Sequence, residues 1–89
     1  MNKPTAVPHL QIKEIDQQVL VHDARSDMIH VLNPTAGYIL RLADGTRETE
    51  EIARLFAENS AIDIDQANQD VQSIIAEFQR LEIISEASP

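Results

Sequence analysis

Three antiparallel strands followed by three helices, an α+β fold, are predicted by three observations. Short apolar runs separated by polar turns fill the chain up to Leu32. From Ala36 to Leu81 apolar residues recur instead at helical spacing. Between the two regimes stands a segment whose start and stop are both marked, Leu32-Asn33-Pro34-Thr35-Ala36-Gly37-Tyr38-Ile39-Leu40-Arg41-Leu42-Ala43-Asp44-Gly45.

The strands come first. His9 to Ile15 alternates, with Leu10, Ile12 and Glu14 on one side and His9, Gln11 and Lys13 on the other. Asp16-Gln17-Gln18 supplies a turn, Val19 to Asp23 a second strand, and Ala24 to Asp27 a second turn. Met28-Ile29-His30-Val31-Leu32 is the third strand. Short polar connections make the three an antiparallel meander. Met1 to Pro8 is polar, carries two prolines, and is expected to be a flexible arm; residues 85–89 are expected to be a tail. The folded domain is thus placed at residues 9–84.

The first helix opens at Asn33, whose side chain can accept a bond from an orphaned backbone N–H, with Pro34 at the first helical position. Ala36, Ile39, Leu40 and Ala43 form its apolar face, and Gly45 can take the left-handed conformation past its end. Thr49 is the expected cap of the second helix, with Glu50 and Glu51 in its first turn and Ile52, Leu55 and Phe56 inward, up to Asn59-Ser60. Only three residues separate Gly45 from Thr49, so these helices should pack at an angle, as in a helix-turn-helix unit. The third helix is capped by Asp63 or Asp65, and its stripe is Val71, Ile74, Ile75, Phe78 and Leu81. Ile83-Ile84 could dock as a final extended piece. The whole is winged-helix-like, with the helices over one face of the sheet.

Composition narrows the function. Its 89 residues make one small domain, and 43% apolar residues allow one modest core. Without cysteine there is neither a disulfide framework nor a thiolate metal site. The absence of a signal-like start, and of any run near the roughly 20 apolar residues of a membrane span, predicts a soluble cytoplasmic protein with no membrane partner. Fifteen acidic against seven basic side chains give a net charge of −8, which repels phosphate backbones. The third helix, the recognition helix of a winged-helix nucleic-acid-binding regulator, sets Asp70 and Glu77 against Arg80. Phosphate contacts and guanine readout both need Arg or Lys, so a nucleic-acid partner is disfavoured.

Catalysis has nothing to rest on. No nucleophile–base pairing, phosphate loop or metal-ligand spacing occurs, and the carboxylates cluster at helix starts. His9, His22 and His30 alternate with apolar strand residues, which places them on the solvent side of the sheet rather than in a metal site. No cofactor is expected. Gly37, inside a helix, points to close packing against a neighbour.

What remains is the third strand. Met28 to Leu32 is apolar, with neither the proline nor the lysine that usually guards a sheet edge. Such an edge can dock an extended peptide, with side-chain pockets between it and the third helix. Four backbone bonds at about 1 kcal/mol each and three apolar anchors at about 2 each exceed an association cost of at least about 4. The balance suits a transient complex.

Leu32-Asn33-Pro34-Thr35-Ala36, Ile39-Leu40, Leu42, Asp44-Gly45, Glu51-Ile52 and Leu55 together resemble the PqqD family pattern L-N-x-x-A … I-L-x-L-x-D-G … E-I-x-x-L. Asp70-Val71, Phe78 and Leu81 fit that family's last helix, and the resemblance runs from about Leu10 to Ile84. It implies a RiPP recognition element, a peptide chaperone of natural-product biosynthesis. Such a domain binds the leader of a ribosomally made precursor peptide and presents it to a modifying enzyme, often of the radical-SAM type. The leader would add a strand beside Met28, Ile29, His30, Val31 and Leu32, against Ala67, Asp70, Val71 and Ile74. Family members serving pyrroloquinoline quinone synthesis usually carry a Tyr-Pro-Glu-Gly-like stretch before this strand and a late tryptophan. Arg25-Ser26-Asp27-Met28 and Glu82-Ile83-Ile84 stand here instead, which points to another modified peptide.

The sequence therefore predicts a non-catalytic peptide chaperone. Either Ile29, or Met28 with Leu32, shapes pockets with Val71 and Ile74, according to which face is inward. Asp70 and Glu77 are the candidates for pairing with a basic leader residue. A self-associating interaction domain, forming a homodimer through the same edge, is the remaining alternative.

Overall fold

The computed structural model describes residues 3–87. Its elements run β1 (Lys3–Ala6), β2 (Leu10–Ile15), β3 (Gln18–Asp23), β4 (Met28–Leu32), α1 (Pro34–Leu42), α2 (Thr49–Ser60), α3 (Ile64–Arg80) and β5 (Ile84–Ala87). Strands β2, β3 and β4 form the expected antiparallel meander in that order, and β1 and β5 form a second, two-stranded antiparallel sheet.

The second sheet corrects the expected flexible arm and tail; residues 1, 2, 88 and 89 lie outside the described part. Lys3 to Ala6 faces Ala87 to Ile84. The amide of Ala6 donates to the Ala43 carbonyl at 2.8 Å, that of Gly45 to Pro4 at 3.0 Å, and that of Val7 to Ile83 at 3.1 Å. Pro4 is fully buried. These partners stand about forty and eighty residues away in the chain, so no local pattern announces them, and a proline argues against a strand when only neighbours are weighed. Ile83, wholly buried, closes the core from this side, as the apolar Ile83-Ile84 pair suggested.

Local signals set the helices. The Asn33 side chain accepts the Ala36 amide at 2.8 Å, Pro34 opens α1, and Gly45 takes φ 86° beyond its end. The cap of α3 is Asp63, which accepts the Asp65 amide at 3.1 Å. At α2 the expected cap moves by one residue. Glu48 is the cap, without a side-chain bond, and Thr49 is already helical. Glu50 and Glu51 still lie in the first turn, where their charge suits the exposed N–H groups.

One core joins the layers: Val19, Val21 and Leu32 from the sheet, Ile39 and Leu40 from α1, Ile52 and Phe56 from α2, and Ala67, Val71, Ile75 and Phe78 from α3. Gly37 lets α1 lie directly on β3, because a Cβ there would overlap the Val19 side chain. The helices do not cover a whole sheet face. They bury the central strand, while Ile12 on β2 and Met28 on β4, which share that face by register, stay 42% and 54% exposed.

Candidate functional site

In the order β2-β3-β4, the strand β4 has a hydrogen-bonded neighbour on one side only. Every second residue of an antiparallel edge strand turns its N–H and C=O away from its partner, so β4 carries a row of outward backbone donors and acceptors. The other edge, β2, holds Lys13 and Glu14, charges that discourage a further strand; β4 holds no charged side chain unless His30 is protonated. The two edges are thus chemically unequal. Only β4 is suited to strand addition.

Register settles which way its side chains point. Val19 pairs with Leu32, Val21 with His30, and Asp23 with Met28, so Met28, His30 and Leu32 share the face that holds the core. Leu32 is buried, His30 half-buried and Met28 exposed. Ile29 and Val31 point to the opposite face and are 63% and 58% exposed. The expectation that all three histidines face solvent is therefore corrected. Only His22 lies on the outer face, its Nε2 2.8 Å from Asp27. His30 follows the parity of Val21, and His9, just before β2, lies with Nε2 buried and 3.5 Å from Asp23. No metal-holding group of three or more His, Cys, Asp or Glu side chains occurs among the described residues.

On α3 the expected site residues divide. Ala67 and Val71 are completely buried members of the core cluster that also holds Leu32, so they offer no surface of their own. Ile74 is half-buried at the margin of that cluster. Asp70, also half-buried, accepts the Gln66 side-chain amide at 2.9 Å. Glu77 is exposed and already paired with Arg80. Of the two candidate acids, Glu77 faces a cation and Asp70 has none against it among the described residues.

A residue that sequence reasoning passed over holds the edge in place. Asp23, only 2% exposed, ends β3 and accepts the Arg25 amide at 3.0 Å. The Asp27 amide donates to the Asp23 carbonyl at 2.7 Å, closing the turn into β4. Arg25 stands 3.7 Å from the Asp23 carboxylate and donates to the Glu82 carbonyl at 3.4 Å, linking this turn to the end of α3. Burial alone would raise the Asp23 carboxyl, but the Arg25 amide, His9, the Arg25 guanidinium and the Ser26 amide together hold it below its ordinary value. The signal was present: an Asp two residues before the bonded amide is the pattern of an Asx turn.

The family model described as coenzyme PQQ synthesis protein D (PqqD) matches residues 17–84, which span β3, β4 and all three helices. The chain belongs to the PqqD family. Solved structures share the PqqD-like fold at low identity. One, "TbiB1 in Complex with the TbiA(beta) Leader Peptide", has a TM-score of 0.81 at 14% identity, over 96% of this chain and 99% of that one. Another, "Lasso peptide synthetase B1 complexed with the leader peptide", has a TM-score of 0.78 at 20% identity, over 93% and 98%. No curated protein matches the chain.

Proposed function

We propose that this chain is a non-catalytic, cytoplasmic peptide chaperone, a recognition element that binds the leader of a ribosomally made precursor and presents it to a modifying enzyme. The observation that carries the reading is the uncharged, proline-free open edge of β4 in a PqqD-family domain. The leader adds as a fourth strand beside β4, its backbone satisfying the outward groups of Met28 to Leu32. Its inward side chains meet Met28, His30 and Ile74 above the floor made by Leu32, Ala67 and Val71. Asp70 pairs with a basic residue of the leader. That both solved neighbours hold leader peptides supports this assignment. A nucleic-acid role fits poorly, since α3 carries Asp65, Asp70 and Glu77 and its one arginine, Arg80, is engaged by Glu77.

The test is a backbone-amide NMR titration with the leader peptide encoded beside this chain. Shifts concentrated at Met28–Leu32 and along Asp70–Glu77 are expected. A leader that binds elsewhere, or fails to shift any amide at high concentration, overturns the reading.

A further inference from the structure

Strand addition makes no use of the side of α1 turned toward the β2–β3 turn. Pro34, Gly37, Tyr38 and Arg41 fall at i, i+3, i+4 and i+7, so they line one face of that helix. Opposite them stands the turn itself, with Asp16 and Gln18. Between the two runs a cleft of about 290 Å³, floored by Val19 where Gly37 brings α1 onto β3. Arg41 pairs with Glu14 at its far end. The near end opens beside Asn33 and Pro34, the two residues that follow β4. Asp16 forms the lip, exposed and held at φ 58°, with no Lys or Arg against it among the described residues.

From this arrangement we infer that the cleft is a second station for the precursor peptide, filled by a Lys or Arg in the flank that leaves β4 at its Leu32 end. The inference rests on the strand-addition reading above. A strand beside β4 lies two strand spacings from β3, roughly 10 Å, which about three extended residues cover. The stripe from Pro34 to Arg41 is also about 10 Å long, the rise of seven helical residues. A basic residue about three to six positions past the paired segment therefore reaches the cleft. Its aliphatic stem lies on Val19, Pro34 and Tyr38, and its charge meets the Asp16 carboxylate.

Continuity and charge choose this occupant. The cleft begins where the β4 edge ends, so a peptide already held on that edge offers its flank at high effective concentration. Open along the turn, the cleft suits a side chain on a continuing backbone rather than an enclosed small molecule. A second copy, itself of net charge −8, would bring acid to acid. The domain thus reads the precursor twice, first by its strand and then by a cation. A peptide with a suitable strand but no basic flank is held more weakly.

The test uses the full chain and the precursor peptide encoded beside it, both whole and trimmed to the residues that pair with β4. Asp16→Asn removes the charge and keeps a residue that tolerates positive φ, whereas Asp16→Lys reverses it. Glu50→Lys, at an exposed position on α2, is the control for the same change in net charge. Affinity is read by fluorescence anisotropy and contact by backbone-amide shifts. The whole precursor should shift Gln17, Gly37 and Tyr38 as well as Met28–Leu32; the trimmed peptide should shift only the latter. Asp16→Lys should weaken the whole precursor by about fivefold and Asp16→Asn by less, with the trimmed peptide unchanged within about twofold. Shifts at Met28–Leu32 with none in the cleft, or equal affinity of whole and trimmed peptides, overturn the second station. Unchanged affinity of the whole precursor for Asp16→Lys overturns the basic contact, as does an equal loss in Glu50→Lys. Cleft shifts produced by the modifying enzyme and not by the precursor assign the cleft to the enzyme instead. A precursor that leaves Met28–Leu32 unshifted refutes the strand-addition reading, a result separable from the others.

Discussion

Replacing Gly37 by alanine separates helix propensity from packing, because the two predict opposite signs. In a helix interior, Gly→Ala ordinarily stabilises by about 1 kcal/mol. Gly37 is buried in α1, however, and a Cβ there would overlap Val19 Cγ2 and stand 3.0 Å from Val19 Cβ. Carbon atoms pack at about 3.5–4.0 Å, so α1 must retreat from β3 or Val19 must leave its rotamer. Val19 is itself 5% exposed and has little room to turn. Overpacking of this kind costs about 1–3 kcal/mol. Gly37→Ala should therefore lower stability by up to about 2 kcal/mol, after the propensity gain of about 1 is set against the overlap. Val19→Ala alone should cost about 1–3 kcal/mol through lost burial and the cavity left behind. Together they should couple, since the shortened Val19 no longer meets the new methyl group. In the Val19→Ala background, Gly37→Ala should become neutral or stabilising, an interaction of about 1–3 kcal/mol in the double-mutant cycle. Urea titrations followed by circular dichroism, with equal m-values across the four proteins, measure it. A Gly37→Ala protein more stable than wild type, or an additive cycle, would refute the claim that α1 rests on β3 at this residue.

Two further outcomes follow from the site. Val71→Ala should cost about 1–3 kcal/mol of stability, because its side chain is wholly buried; Ile74→Ala should cost less stability but weaken leader binding more, which thermal melts and anisotropy would separate. Equal loss of leader affinity in both, at equal stability, would contradict the division of α3 into floor and surface. Asp23 has a folded-state pKa below its ordinary 3.8, so its contribution is complete above that value and lost as pH falls through the lower folded one. Acid unfolding of the β3–β4 turn should therefore set in at higher pH in Asp23→Asn, which removes the charge that Arg25 and His9 face, and the difference from wild type should shrink below pH 4. Amide shifts of Met28 and Ile29 followed against pH would show it, and identical profiles would rule out the role of Asp23 in holding the edge.

What could be read from the chain without its structure depended on the range of the interaction. Asn33, Pro34 and Gly45 mark α1 because capping and left-handed turns involve residues at most four apart, and α3 is legible because its apolar stripe repeats within each turn. The same holds for the unguarded composition of Met28–Leu32, which marked this strand as the candidate edge. Other features depend on partners brought close only by folding. Lys3–Ala6 is a strand because β5 and the end of α1 satisfy its amides. His30 faces the core because Val21 lies across from it. Ala67 and Val71 are core rather than surface because α3 turns them into the cluster that also holds Leu32. By itself the sequence determined the three-stranded meander, the three helices, the cap of α1 and the unguarded strand that could serve as an edge for peptide addition. Tertiary structure alone decided which side chains of that strand share the face of the core and which point away from it, because a strand of period two has no intrinsic inside until something packs against it.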